Sequence, residues 1–186
     1  MKKTLLLLFL LPSLLFSQTS GGPDGYGYTW VDSNNPSGPI YDWVNIELPN
    51  NLVTGLGDDN IKGSFSIENF KFYWYNITHL SIGSNGFIVF SNPQNIASPF
   101  PLIPTASGAN DFIAPLLSDL TFAGNNNPGK CYLDNHNLDS TIISFVNVPF
   151  WQQANPQYTG SNTFQIILCH IDSTILFQYK SMSGIT

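Results

Sequence analysis

The stretch NTFQIILCHIDSTILFQYK, Asn162–Lys180, sets two apolar runs rich in Ile, Phe and Tyr on either side of the turn-forming pair Asp172-Ser173. Runs of this kind around such a turn form a β-hairpin. Pairing Ile171 with Thr174 puts Ile175 opposite His170, Phe177 opposite Leu168 and Tyr179 opposite Ile166. One face then collects Phe164, Ile166, Leu168, Ile175, Phe177 and Tyr179, and the other carries Thr163, Gln165, Gln178 and Lys180. Such a split predicts an antiparallel sheet with one face on a core and the other in solvent. His170 falls on the apolar face near the turn and is read as a satisfied or half-exposed histidine rather than a ligand.

Working outward, the hairpin closes a meander with strands over Lys130–Leu133, Thr141–Val148, Thr163–Ile171 and Thr174–Lys180. Upstream, LSIGSNGFIVF joins two short apolar runs through Ser84-Asn85-Gly86, and Asn-Gly is the strongest short hairpin signal. FIAPLLSDL, Phe112–Leu120, is apolar but holds Pro115, which predicts an edge strand or a strand broken there. Ile40–Leu48 alternates in the manner of a strand, Phe65–Tyr75 is aromatic-rich strand material, and GLGDDN (Gly55–Asn60) reads as a turn. Roughly ten short strands with turn signals between them predict an all-β fold, an antiparallel β-sandwich with a C-terminal meander. No period of about 20 to 50 residues repeats, which argues against solenoids and propellers.

Residues 1–17 carry Lys2 and Lys3, an apolar run from Leu5 and a small Ser17. Roughly a dozen apolar residues fall short of the about 20 that span a hydrocarbon core, so the segment reads as a secretory signal peptide. No transmembrane segment is expected. Residues 18–186 suffice for one extracellular sandwich domain. SMSGIT follows directly on the last strand, and the chain is read as a fragment of a longer protein.

Beyond the leader, four lysines and no arginine face twelve acids, a formal charge of −8. That balance excludes nucleic-acid backbones and anionic membranes as partners. Export permits a disulfide between Cys131 and Cys169. If Leu133 pairs with Ser140 and Val148 lies near Thr163, however, one strand separates the two cysteines. Two inter-strand spacings, about 10 Å, exceed the about 7 Å that a bridge tolerates, so two free thiols are predicted.

Catalytic patterns are missing. Gly83-Ser84-Asn85-Gly86 has the wrong spacing for a nucleophile elbow, GLGDDN lacks the third glycine of a dinucleotide loop, and the three histidines are scattered. Glu47 and Glu68 are the only glutamates and sit in polar, strand-like contexts. The chain is read as non-enzymatic, with no cofactor. Asp58 and Asp59 are the candidates for a hard cation such as Ca²⁺, with help from Asp24, Asp32 or Asp119, although no Ca²⁺-loop signature surrounds them. Trp30, Trp74 and Trp151 are the candidates for stacking on a sugar ring. In Phe72-Tyr73-Trp74-Tyr75 a regular strand would send alternate rings to opposite faces, leaving two in need of a cover.

GGPDGYGYTWVDSNNPSGP, GLGDDN, IGSNGFIVF, FIAPLLSDL and NTFQIIL followed by ILFQYK together resemble an N-terminal β domain of large exported bacterial surface proteins of the kind delivered by type IX secretion. More distantly, the Asn-Gly hairpin, the Ile-Ala-Pro segment and the NTFQ strand are similar to the nidogen-like extracellular domain. The resemblance implies an extracellular, non-enzymatic structural or adhesive module at the cell surface. Its implied partners are an extracellular glycan or protein and downstream domains of the same protein. A carbohydrate-binding module using exposed Trp and Tyr is the alternative.

Overall fold

A computed structural model describes residues 18–90, 93–103, 108 and 110–183. The leader expected over residues 1–17 and the final Gly184-Ile185-Thr186 lie outside the described residues. The chain divides into two compact units between Tyr41 and Asp42. In the first, β1 (Ser20–Gly21) pairs antiparallel with β2 (Trp30–Val31). The Asp24 carboxylate closes the intervening loop by accepting from the Tyr26 and Tyr28 amides, both at 2.9 Å.

The second unit is a sandwich of two antiparallel four-stranded meanders. One sheet runs β3 (Ile61–Phe72), β4 (Tyr75–Gly83), β5 (Phe87–Val89) and β6 (Phe112–Ile113). The other runs β7 (Lys130–Asp134), β8 (Ser140–Trp151), β9 (Tyr158–Cys169) and β10 (Ile175–Ser183). Between them lie Phe70, Leu80, Ile82 and Ile88 from one sheet and Ile143, Phe145, Phe164, Ile166 and Leu168 from the other. Phe145 and Phe164, cross-strand partners, stack at 4.7 Å with ring planes 7° apart. The expected all-β antiparallel sandwich with its C-terminal meander is the fold observed, and β6 stops two residues before Pro115.

Registers differ from those expected. Phe177 pairs with Ile166 and Tyr179 with Phe164, two residues from the expected partners. The turn is wider than two residues: the Cys169 amide donates to Thr174 O, Ser173 takes φ +61°, and the Asp172 carboxylate accepts from the Thr174 amide. A slip of two leaves every side chain on its face, so Phe164, Ile166 and Leu168 still point into the core. Leu133 pairs with Ile143 rather than Ser140, because residues 135–139 form a longer loop braced by Asp134 and Asn137 side chains. Cys131 on β7 and Cys169 on β9 remain separated by β8 and are free. Cys131 lies in the core and Cys169 packs on the opposite face.

Two other expectations change. Phe72 pairs with Tyr75 across a two-residue turn, with Tyr73 at φ +53°, so the aromatic run is a hairpin tip and its rings do not alternate. Residues 40–48 form no strand. Instead, 42–46 crosses the outer face of β8, β9 and β10, the face expected in solvent. There Gln165 is fully buried and Gln178 is 4% exposed. Gln178 accepts from the Asp42 amide at 2.8 Å and donates to Asp42 O at 2.7 Å. Gln165 accepts from the Val44 amide at 3.4 Å and donates to Val44 O at 2.8 Å and to Ser144 Oγ at 2.7 Å. Each primary amide thus answers one extended residue's N–H and C=O, as a neighbouring strand would. Ile46 then inserts against Ile142 and Ile167.

Gln165→Ala strands the polar groups of Val44 and Ser144 and is expected to cost about 1–3 kcal/mol in urea unfolding, with lost hydrogen-exchange protection at Val44. Burial raises both thiols' pKa, that of Cys131 far above the ordinary range. Alkylation of the native protein followed by intact-mass measurement should label Cys169 slowly and Cys131 only after unfolding.

Candidate functional site

At the turn from β4 to β5 the chain needs a left-handed residue, and Gly86 supplies it at φ +78°. A Cβ there would lie 2.1 Å from Leu116 O. The preceding Asn85 is fully buried and all its side-chain polar atoms are used. Its Nδ2 donates to Asp59 Oδ1 at 2.8 Å and to Ile96 O at 2.9 Å, and its Oδ1 accepts from the Leu120 amide at 3.0 Å. One amide therefore joins three loops.

Its neighbour Ser84 exchanges two bonds with Asn60, accepting the Asn60 amide on Oγ and donating its own amide to Asn60 O. Asn60 in turn folds the Gly55–Asn60 loop by accepting from the Gly57 amide and donating to Gly55 O, each at 2.9 Å. The Phe122 amide donates to Gly57 O, and Asp58 bridges to Thr121.

The result gathers Asp58, Asp59 and Asp119, with a carboxylate oxygen from each within 4.8 Å of the others. Of the three acids named as helpers for the Asp58–Asp59 pair, Asp119 alone joins the cluster. Asp24 and Asp32 spend their carboxylates on backbone amides of their own loops in the first unit. Partial burial raises the pKa of Asp58 and Asp119, and repulsion from Asp59 adds to it in both. A hydrogen bond from Thr121 offsets part of the rise at Asp58. Three such oxygens are part of the six to eight that Ca²⁺ takes.

The tryptophans are exposed: Trp30 by 50%, Trp74 by 65% and Trp151 by 37%. Trp30 lies on β2, Trp74 at the β3–β4 tip between Tyr73 and Tyr75, and Trp151 at the end of β8. His170 is satisfied, with Nδ1 against Leu138 O and Nε2 against Thr141 Oγ1, both at 3.0 Å. Asn85 and Ser84 escaped sequence reasoning as site residues, because a turn signal does not disclose what its side chains hold.

The second unit is thus an all-β module with exposed aromatics and an acidic corner. The family described as NIDO related matches residues 38–186, and the chain belongs to this nidogen-related family. The match begins close to the start of the sandwich unit at Asp42. No curated protein and no solved structure gives a match. The family is one of extracellular domains, consistent with an extracellular location, and no helix among the described residues is long and apolar enough to cross a membrane.

A raised folded-state pKa means the native protein holds protons that the unfolded chain has released, so the cluster's contribution to stability falls as pH rises through that window. Asp119→Asn is therefore expected to raise the urea midpoint relative to wild type at about pH 7, with the gain vanishing near pH 3. Melting in Ca²⁺ and then in chelator tests the cation candidates: coincident curves remove them, and a Ca²⁺-dependent rise absent in Asp119→Asn supports them.

Proposed function

We propose that this chain is a non-enzymatic structural or adhesive module of an exported bacterial surface protein. The observation that carries the reading is membership of a nidogen-related family over residues 38–186. The basic, apolar, small-residue order of residues 1–17 supports export, and the resemblance of the turn-rich segments to type IX-delivered proteins supports the surface. Side-chain chemistry agrees with a non-catalytic role. The polar groups at the loop end, buried Ser84 and Asn85 and half-buried Asn60, spend themselves on backbone and loop closure.

The alternative, a carbohydrate-binding module, draws on the exposure of Trp30, Trp74 and Trp151. Flat rings with a polar edge bind sugars by stacking.

An epitope-tagged chain in its source cells should lose residues 1–17 and be digested by protease added to intact cells. Retention of the leader with protection from protease would overturn the surface assignment. On a glycan array, the structural reading expects signals unchanged by Trp74→Ala and Trp151→Ala. Loss of one glycan class in either variant, with the melting midpoint kept, would favour the alternative.

A further inference from the structure

Residues Leu52–Leu56 run along the free edge of β7. Leu52 bridges to Tyr132, and the Val53 amide donates to Cys131 O at 2.9 Å. At Gly55 this segment meets the Lys62 stem on β3, since a Cβ there would lie 2.8 Å from Lys62 Cε. Just beyond Lys62, β3 breaks register with β4 before Phe65. The break and the crossing segment leave a cleft on each side of Leu52–Leu56, of about 360 Å³ and about 230 Å³.

The two differ in what their polar groups are doing. In the smaller cleft, Asn127 is consumed internally, donating to Thr121 O and Ala123 O and accepting from the Gly129 amide, and Lys130, unpaired among the described residues, is exposed to solvent. In the larger, Asn51 and Asn135 are partly spent on Ile46 O and Ser66 O. The Lys62 ammonium, the His136 ring, the Asn50 amide and the Thr54 hydroxyl have no hydrogen-bond or ion-pair partner among the described residues. Phe65 contributes apolar surface to the same wall.

Lys62 is half-buried along its stem, and an ammonium at a cleft wall without a counter-ion favours an anionic guest. The domain's strongly negative charge repels long polyanions, so the guest must carry little charge and much hydrogen-bonding capacity. We propose that this cleft binds a saccharide residue bearing a single carboxylate, a hexuronate. Lys62 Nζ donates to the carboxylate, His136, Asn50 and Thr54 meet the hydroxyls, and Phe65 lies against the C–H face of the ring. The inference rests on the reading of the chain as an adhesive module of an exported surface protein and names a ligand class for it. It uses none of the three exposed tryptophans.

The test is titration of the full chain with glucuronate, glucose and acetate, followed by amide chemical shifts and calorimetry. Glucuronate should bind saturably, with shifts at Asn50, Thr54, Lys62 and His136, and glucose and acetate should each bind at least about tenfold more weakly. Lys62→Met keeps the stem over Gly55 and should weaken glucuronate about tenfold, ~1.4 kcal/mol, at an unchanged melting midpoint. Lys130→Met, at the other cleft, should change nothing. If Lys62→Met folds poorly, His136→Ala at an exposed position carries the same test. No saturable binding, equal binding of glucose, or undiminished affinity in the folded variant would overturn the proposal. Each of these leaves the protease-accessibility result, and with it the module reading, intact.

Discussion

The buried amide of Asn85 is the constraint on which this end of the sandwich depends. A primary amide removed from water costs free energy unless its donors and acceptor are all answered. Here they are answered by three loops far apart in sequence, at Asp59, Ile96 and Leu120. The β4–β5 turn cannot move without unpairing them. Leu120 is itself fully buried and bridges to Phe150 of the opposing sheet, so the same amide links one sheet's turn to the other sheet's strand.

That tie has an electrostatic consequence. Holding the Gly55–Asn60 loop beside residues 118–121 brings Asp58 and Asp119 against Asp59, where partial burial first and repulsion from Asp59 second raise the pKa of both. One Asp59 oxygen accepts from Asn85, which satisfies part of the charge directly. The packing of Leu120 and the Asn85 bonds therefore offset a local repulsion that the loop would relax if it were free.

The fold class was legible because alternation survives errors of register. Phe164, Ile166 and Leu168 share a face whether their partners are shifted by two or not, and the period of two carries that information. Register was not legible, since it depends on turn geometry such as the left-handed Ser173 and the Asp172 cap. The outer face was misread for a different reason. Gln165 and Gln178 look solvent-facing by composition, yet a glutamine amide sets an N–H donor beside its carbonyl acceptor in the spacing of a peptide group, with a second N–H to spare, and so can bury an extended segment. Within the alternating Ile40–Leu48 stretch, Asp42 and Val44 find their backbone partners in these side chains and not in a strand, and Ile46 alone of the apolar residues is buried. At the acidic corner, proximity in sequence exposed Asp58 and Asp59, whereas the choice of Asp119 over Asp24 and Asp32 needed the tertiary path through Asn85.

The two edges of the β7–β10 sheet are treated differently. The β7 edge is engaged by Leu52 and Val53. No described strand pairs with the outer edge of β10, although Phe177 and Tyr179 are part-exposed along it. That edge carries features that discourage pairing: a register break between Tyr179 and Ser181, and Lys180 with its ammonium 5.1 Å from the Trp43 ring centroid. Tyr179 is also held, donating its hydroxyl to Pro115 O at 2.8 Å. An edge interrupted by a bulge, charged and tied back to a loop is a poor template for an added strand. Recognition by this domain is therefore better sought on the opposite flank, where the Leu52–Leu56 crossing leaves unspent donors beside Lys62.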